Sequence, residues 1–442
     1  MREMSMKENM NFTDFCLKNG GDIYPLVLPS QVTDGTGLMN PSIFVHQGRI
    51  YVNIRHVNYT LYHSEKKKYH HQWGPLQYLH PENQRFLKTT NFLCQLADDF
   101  SIEEYFVVDT SQNDVQPLWE FIGLEDARLF VWEDKFYLCG VRRDTTTNGE
   151  GRMELSEIEI NSFGVKEKSR QRIPIPDGTF SYCEKNWMPI VSRPYHWVKW
   201  ANPTEVVEYD PYSEKTTTEF NSTTKKDIAN DLRGGSQVID YNGYYLCITH
   251  EVFLYNSELG RKDGRYRHRF VLWDKNWDIV AYSNYFNFMD GEIEFCCGAA
   301  FHEGNLLISY GFQDNGAYIL KVPENLIESM FVYDTREKFS MPECLVVFKD
   351  SPSEAKFGPK DHSIIRHKHG TPINNISEYH TVVIPESLIH ENIYSQLAEK
   401  HVVITAESEE FYKKCLEYSQ NNTDFCVDSI HESNKVVVFE KR

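Results

Sequence analysis

Between about residue 38 and residue 322, short apolar and aromatic runs alternate with polar turns. Segments such as SIFVHQGRIYVNIR, DARLFVWEDKFYLCGV and AAFHEGNLLISYGF each hold two β-like runs around a polar turn. The turns HQGR, WEDK and HEGN carry residues that tolerate the left-handed backbone of tight hairpins. Helical 3.6-residue periodicity is nearly absent here. The pattern therefore predicts a series of β-hairpins.

The hairpins recur as five units, which begin near Asn40, Gly123, Glu184, Gly234 and Ile293. Five units over about 285 residues leave each one room for a propeller blade of about 40–50 residues plus loops. Each unit opens with a polar cluster followed by an apolar run, and the innermost strand of a blade can present such polar residues to a central channel. We therefore predict an all-β five-bladed β-propeller over residues 38–330, with a pair of β-sandwiches as the alternative.

The flanking segments differ in texture. Residues 1–37 form an N-terminal extension, and residues 331–372 are predicted to be a closing segment and linker rich in charge, Pro and Gly. Just before it, PENLIESMF predicts a short helix that closes the propeller. In residues 373–442, β-like runs (YHTVVIP, KHVVITA, KVVVFEK) alternate with helix-like segments (SLIHENIYSQLAEK, SEEFYKKCLEYSQ), which predicts a small α/β module.

Composition narrows the class of protein. The 442 residues are 40% hydrophobic and 14% aromatic, enough to bury a large core and to argue against disorder. The net charge of −18 disfavours general nucleic-acid binding, and no apolar run is long enough to predict a membrane span. The cysteines include no C-x-x-C pair, and Cys139 and Cys247 lie in apolar runs, which predicts buried free thiols. MREMSMKENMNFTDF does not resemble a secretory signal, so we expect a cytoplasmic protein.

The sharpest candidate for chemistry is GLEDAR, which contains Glu125, Asp126 and Arg128. Adjacent carboxylates on a strand point to opposite faces. A carboxyl in a partly desolvated channel has a raised pKa, which suits a general acid acting on a glycosidic oxygen. A nearby Arg would lower that pKa and could orient a substrate. The alternative interpretation is a salt bridge between blades.

Two further clusters could bind sugar or anion. In CEKNWMP, Trp187 offers an apolar platform for a sugar and Lys185 a point charge for an oxyanion, although a solvated Lys is the simpler interpretation. In RGGSQ, Gly234 lets backbone approach a ligand, and His250 ends an apolar strand where it could bind phosphate or be merely structural. Other candidates from the remaining units are Asn40, Arg55, His56, Arg142, Arg143, Asn186, Tyr266, His268, Arg269, Glu294, Tyr310 and Asp314.

In their order along the chain, these motifs resemble glycoside hydrolase family 130, the five-bladed-propeller mannoside phosphorylases and related hydrolases. GLEDARLF resembles the G-x-E-D-P-R pattern of that family, with Ala127 in place of Pro. NPSI…GRIYVNIR, EKNWMP and ISYGFQD resemble its N-P…G…R, E-K-N and Y-Y-G-x-x-D units. GGSQ…GYYLCITH resembles G-x-P…G-W-L-x-x-Y-H, with Gln237 for Pro and Thr249 for an aromatic residue. The resemblance covers about two-thirds of the chain.

The resemblance implies roles for these residues. Asp126 would be the general acid, delivering its proton through a substrate hydroxyl while phosphate attacks the anomeric carbon with inversion. The implied substrate-binding residues are Asn40, Arg55, Glu125, Arg128, Asn186, Tyr310 and Asp314. The implied phosphate-binding residues are Arg142, Arg143, Lys185 and His250. Inorganic phosphate would be a co-substrate, the partner an oligosaccharide or sugar phosphate, and no metal or cofactor is expected; whether the chain forms an oligomer stays open.

Three alternatives stay open at this point. A glycosyltransferase would use a nucleotide-sugar or sugar-phosphate donor to build a surface glycan. A hydrolase would need a second carboxylate to activate water, for which Glu294 is a candidate. A glycan-binding propeller without catalytic activity would need neither the second carboxylate of a hydrolase nor the converging cations of a phosphorylase. Phosphorolysis requires several cations that converge opposite Asp126, because a phosphate dianion must be desolvated and held.

Overall fold

The computed structural model describes most of the first 333 residues and parts of the remainder. The described residues are 11–33, 37–61, 69–70, 77–79, 86–223, 232–256, 262–333, 343–348, 363–370, 379–388, 398–406, 410, 413–414, 425–431 and 436–441. The chain divides into two compact units. The first comprises residues 1–224, 231–252 and 264–335, and the second comprises 225–230, 253–263 and 336–442.

The regular secondary structure of the described residues is nearly all strand, as the hairpin pattern predicts. The α-helices are α1 (Phe12–Lys18), α2 (Ser30–Thr33) and α3 (Glu324–Met330). The strands up to residue 333 are β1 (Asp22–Pro25), β2 (Leu38–His46), β3 (Arg49–Val57), β4 (Thr60–Leu61), β5 (Tyr69–His70), β6 (Gln77–Leu79), β7 (Leu87–Leu96), β8 (Ile102–Asp109), β9 (Phe121–Ile122), β10 (Glu125–Trp132), β11 (Lys135–Arg142), β12 (Arg152–Asn161), β13 (Gly164–Arg172), β14 (Met188–Pro189), β15 (His196–Trp200), β16 (Glu205–Asp210), β17 (Lys215–Asn221), β18 (Arg233–Gly234), β19 (Ile239–Tyr241), β20 (Tyr244–Asn256), β21 (Lys262–Trp273), β22 (Ile279–Ser283), β23 (Glu294–His302), β24 (Asn305–Phe312), β25 (Gly316–Pro323) and β26 (Phe331–Tyr333).

Most of these strands pair in five groups of four. The groups are β2-β3-β7-β8, β10-β11-β12-β13, β14-β15-β16-β17, β18-β20-β21-β22 and β23-β24-β25-β1. A short parallel pairing of β8 with β13 joins the first two groups, and β1 completes the fifth group beside β25. The strands β9, β19 and β26 extend these groups, and β4, β5 and β6 form a small separate sheet. The first strands of the groups begin close to the five predicted starting points.

A buried hydrogen-bond network joins the first strands of three groups. The side-chain amide of Gln237 donates to Ser42 Oγ at 3.2 Å and to the carbonyl oxygens of Ile43 and Leu129, and it accepts from the Ala299 N–H at 3.0 Å. Ser42 Oγ also accepts from the Leu129 N–H at 2.9 Å. This one side chain therefore ties β2, β10 and β23 together.

Aromatic packing positions α1 within the first unit. Asn11 caps the helix, since its side chain accepts from the Asp14 N–H at 2.8 Å. Phe12 is fully buried and packs against Phe286 with ring centroids 4.4 Å apart. Burying a Phe side chain contributes roughly 1.5–3 kcal/mol, so α1 is anchored by its apolar face. The helix α3 confirms the short helix predicted from PENLIESMF, and Cys139 and Cys247 are buried free thiols as predicted.

The second unit contains a mixed sheet in the order β28-β27-β29-β30-β32-β31. Its strands are β27 (Glu343–Phe348), β28 (Ser363–Lys368), β29 (Tyr379–Pro385), β30 (Ala398–Thr405), β31 (Phe425–His431) and β32 (Val436–Lys441), with a 3-10 turn at Glu386–Leu388. The four strands from β27 to β30 pair in parallel, and their valine-rich runs are buried, as is usual for parallel strands.

The sheet begins earlier than the predicted module, because β27 and β28 lie in residues 331–372, the range predicted as a closing segment and linker. Most of the predicted helices SLIHENIYSQLAEK and SEEFYKKCLEYSQ lie outside the described residues. Within the part of the chain that is described, no helix combines the length and apolar character needed to cross a membrane.

Candidate active site

A β-bulge at the start of β10 sets the position of Asp126. Glu125 lies opposite Val141 and Arg128 opposite Cys139, so β10 carries one residue more than its partner strand. Asp126 has a left-handed backbone with φ of 49°. Gly140 makes room for the bulge, because a Cβ there would lie 2.3 Å from the carbonyl oxygen of Glu125.

The bulge overturns the expected alternation of the two carboxylates. Arg55 lies 2.8 Å from Asp126 Oδ1 through Nη1 and 3.9 Å from Glu125 Oε2 through Nη2. Both carboxylates therefore approach one guanidinium, and the prediction that they face opposite sides is wrong. The pair also joins β10 to β3 in the neighbouring group, so the salt bridge of the alternative interpretation is present.

The carboxylate of Asp126 is held on one oxygen only. Oδ1 accepts from Asn40 Nδ2 at 2.7 Å and from Arg55, whereas Oδ2 has no partner among the residues described. Burial would raise the pKa of Asp126, but Arg55, the hydrogen bond from Asn40, and the charges of Arg128 and Lys185 outweigh it and lower the pKa. The raised pKa expected for a general acid is therefore absent without substrate, and Asp126 is a carboxylate at neutral pH.

Each nitrogen of Arg55 is engaged. Nε donates to Thr89 Oγ1 at 3.2 Å, Nη2 donates to the Tyr59 hydroxyl at 2.8 Å, and Nη1 donates to Asp126. The side chain is buried. The guanidinium is thus fixed in one orientation and fixes Asp126 in turn.

Two asparagines that sequence analysis missed support this loop from behind. Asn91 Nδ2 donates to the carbonyl oxygen of Leu124 at 3.0 Å. Asn53 Nδ2 donates to Asn91 Oδ1 at 2.9 Å and to the Ala127 carbonyl oxygen at 3.3 Å. Both stand in the middle of apolar strand runs, YVNIR and TTNFLC, where a buried amide requires partners. That pattern was the available signal.

Arg128 brings a buried cation beside Asp126. Its Nε donates to the carbonyl oxygen of Gly235 at 2.9 Å, and Nη1 donates to that of Asp126 at 2.7 Å. Its guanidinium lies 5.4 Å from the ring centroid of Phe295. Nη2 is buried and has no hydrogen-bond partner in the described part of the chain. A buried guanidinium with an open donor is suited to receive an anionic oxygen.

Burial is the largest cause that lowers the pKa of His250, followed by His268, Arg233, Arg128 and Lys185. Together they hold the pKa well below the usual value, so the imidazole is neutral at pH 7. The ring packs on Tyr266 and edge-on to Phe295, with centroids at 5.6 and 4.9 Å. Nδ1 is buried without a partner among the described residues. His250 can therefore serve a phosphate as a hydrogen-bond donor, but not as a cation.

The loop that carries Lys185 is held closely. Gly234 touches it, because a Cβ there would lie 1.9 Å from the carbonyl oxygen of Asn186. The absence of a side chain at Gly234 thus allows a close contact with the backbone of Asn186, whereas the sequence predicted a close contact with a ligand. The Lys185 side chain is exposed and has no ion-pair partner within the described ranges, and Asn186 Oδ1 is buried and unpaired there. Trp187 is 1% exposed, so it is a core residue and not a sugar platform.

Asp314 lies in the turn between β24 and β25, with φ of 49°. Burial raises its pKa to about 6; Arg55 and Lys185 oppose the shift, while Asp126 and Glu125 add to it. Its carboxyl has no hydrogen bond or ion pair in the part of the chain described. The structure therefore brings Asp314 within electrostatic range of Asp126.

Two predicted residues are structural. Tyr310 is fully buried; its ring stacks on Phe288 at 4.1 Å and its hydroxyl lies 3.4 Å from Thr13 Oγ1, so it is not exposed for the substrate-binding role that the resemblance implies. Glu294, the candidate base of a hydrolase, accepts three backbone N–H groups, from Phe288, Met289 and Gly291, at 2.6–2.7 Å. Its two oxygens hold that turn.

The two adjacent arginines predicted for phosphate are used elsewhere. Arg142 is buried in ion pairs with Glu154 at 2.8 Å and Asp144 at 3.3 Å, beside a cavity of about 460 Å³ whose lining does not include Asp126. Arg143 donates to the carbonyl oxygen of Gly149 at 2.9 Å and lies over the ring of Tyr182. Neither arginine joins the cations around Asp126.

No protein-family model matches this chain, and no curated protein matches it. Solved structures do. β-1,2-Mannobiose phosphorylase from Listeria innocua is 13% identical, with a TM-score of 0.44 over 70% of this chain and 99% of that one. A mannose phosphorylase from Leishmania mexicana, solved with phosphate ion, is 11% identical, with a TM-score of 0.39 over 73% and 95%. A structure from the GH130 family of mannoside phosphorylases is 13% identical, with a TM-score of 0.43 over 65% and 84%.

These solved structures are a mannobiose phosphorylase, a mannose phosphorylase and a structure of the GH130 family, which is the family that the motifs of this chain resemble.

Proposed function

We propose that this protein is a carbohydrate-active enzyme that cleaves mannoside-type glycosidic bonds by inverting phosphorolysis. One observation carries the proposal: a held carboxylate with one open oxygen lies within electrostatic range of two cations, and both cations also act on a neutral imidazole. The carboxylate is Asp126, the cations are Arg128 and Lys185, and the imidazole is that of His250. The mannoside class comes from the motif resemblance, and the site geometry supports the phosphate-dependent reaction.

The proposal includes a five-bladed propeller as the scaffold. Five groups of four strands each begin with a short polar segment, and β1 from the N-terminal side completes the last group. Gln237 ties the first strands of three groups at one place. Both features are expected where the inner strands of blades surround a common axis.

In the proposed reaction, the bond between the anomeric carbon and the glycosidic oxygen breaks, and a phosphate oxygen forms the new bond from the opposite face. Asp126 passes a proton through a substrate hydroxyl to the leaving oxygen. Arg128 and Lys185 offset the charge of the desolvated phosphate, and neutral His250 donates a hydrogen bond to it. Hydrogen phosphate supplies the net proton, so the enzyme returns to its starting state.

The test incubates the protein with β-linked manno-oligosaccharides, with and without phosphate, and follows ³¹P NMR for mannose 1-phosphate. We expect product only with phosphate, and a loss of at least about 100-fold in Asp126→Asn. Cleavage at an equal rate without phosphate would identify a hydrolase. Transfer from a nucleotide sugar with no phosphorolysis would identify a glycosyltransferase, and full activity of Asp126→Asn would refute the assignment of the site.

A further inference from the structure

We propose that Asp126 and Asp314 work as one carboxyl pair that shares a single proton, with Asp314 storing it until substrate binds and Asp126 passing it on. The inference rests on the proposed function, which leaves unexplained how an ionised Asp126 acts as an acid.

The hydrogen bonds of the site separate the two carboxyls. Asp126 receives one donor from Asn40 and one from Arg55 on the same oxygen. The other two nitrogens of Arg55 donate hydrogen bonds to Thr89 and Tyr59. No hydrogen bond or ion pair to Asp314 is present among the described residues, so the neighbouring guanidinium stabilises one carboxylate directly and the other only at a distance.

The turn that carries Asp314 is packed against the residue that holds Asp126. At Gly311, a Cβ would lie 2.2 Å from Asn40 Oδ1. At Gly37, a Cβ would lie 3.1 Å from the carbonyl oxygen of Asp314. The close approach at Gly311 in β24 and the tight approach at Gly37 hold the end of β24 and the following turn against the start of β2, which keeps Asp314 near the Asn40–Asp126 pair.

Burial favours a proton on Asp314, and the surrounding charges act in both directions. Burial raises its pKa to about 6, with the charges of Asp126 and Glu125 adding to the shift, while Arg55 and Lys185 oppose it. The pKa of Asp126 moves in the opposite direction. Two interacting carboxyls of this kind titrate as a pair, and the first proton to be lost comes from Asp126.

The proton balance closes without another reactant. In the substrate complex, the proton of Asp314 moves to Asp126 along the sugar hydroxyls, and Asp126 passes it through a substrate hydroxyl to the leaving oxygen as the glycosidic bond breaks. The attacking hydrogen phosphate loses its proton as the new bond forms, and that proton restores the pair. Asp314 is therefore a proton reservoir, whereas Asp126 contacts the substrate hydroxyl that relays the proton.

A titration without substrate tests the pair directly. In protein labelled with ¹³C at the aspartate carboxyl carbons, we expect one resonance with a midpoint near pH 6 that is missing in Asp314→Asn. In Asp126→Asn this midpoint should shift to lower pH, because a neighbouring negative charge has been removed. The exposed Asp210→Asn serves as the control and should leave it unchanged. A midpoint that stays in place in Asp126→Asn would overturn the inference.

The pH dependence of kcat/KM provides the second test. The wild type should lose activity above about pH 6, Asp314→Glu should keep such a limb, and Asp314→Asn should lose it with an activity decrease of about 100-fold. If Asp314→Asn raises only KM and keeps the pH profile, Asp314 merely binds sugar and the inference fails while the proposed function stands. A wholly active Asp126→Asn would instead refute the proposed function.

Discussion

Replacing Asp314 by asparagine should stabilise the folded protein at alkaline pH and leave its stability nearly unchanged in acid. The folded chain raises the pKa of this carboxyl from 3.8 to about 6, so it binds the proton more tightly than the unfolded chain does. The resulting stability is present below pH 3.8 and is lost as the pH rises through about 6. Ionising Asp314 at pH 8 then lowers the free energy of unfolding by up to about 3 kcal/mol.

The Asp314→Asn variant has no charge to ionise at this position, so its advantage over the wild type should grow from about zero at pH 4 to as much as about 3 kcal/mol at pH 8. Tryptophan fluorescence during denaturation suits the measurement, because all eight tryptophans lie in the first unit, which holds the site. Asp126→Asn is the matched control with the opposite sign: it should destabilise at pH 8 by about 1–3 kcal/mol, since it removes a charged acceptor from Arg55. Equal stability of Asp314→Asn and the wild type at pH 8 would refute the reasoning.

Two further substitutions test the loop and the cation set. Gly123→Ala should destabilise the protein by about 2–4 kcal/mol, because Gly123 has φ of +98° and a Cβ there would lie 2.4 Å from the carbonyl oxygen of Thr89. The control Gly178→Ala, at φ of +81° with open space around it, should lower the stability by about 1 kcal/mol. Equal decreases of the thermal midpoint in the two variants would contradict this prediction. Lys185→Met should raise KM for phosphate at least about tenfold while the thermal midpoint stays constant, because the amine is exposed and unpaired in the described structure; an unchanged KM would remove Lys185 from the site.

Local signals were sufficient for the strands and for part of the site. Alternating apolar residues and Gly-, Asn- or Asp-containing turns depend on a few neighbouring residues, and the strand groups begin close to the predicted points. Asp126 and Arg128 were identified for the same reason, since their motif is contiguous. Asp314 and Arg55 lie far from this motif in the sequence, and only the family resemblance grouped them with Asp126 and Arg128.

Features that depend on distant partners were not predictable. The bulge at Asp126 needs Gly140 on the next strand, and nothing in GLEDAR indicates it. In the sequence Arg142 has the pattern of an unpaired cation, whereas the structure shows its ion pair with Glu154. The sequence motif suggests that Tyr310 binds substrate, whereas in the structure its ring is stacked against Phe288. A polar side chain is free or occupied according to the fold around it, which one sequence does not record.

Gln237 has a consequence for how the protein is made. Until that residue leaves the ribosome, the carbonyl oxygens of Ile43 and Leu129 lack the amide that satisfies them in the finished fold. Gln237 Oε1 in turn lacks its hydrogen-bond donor until Ala299 has been synthesised. The first two strand groups are therefore synthesised well before Gln237, whose side chain joins them. A nascent chain halted before residue 237 would expose polar backbone groups that the completed protein buries. The candidate site, which includes Asp314, is complete only near the end of translation of the first unit.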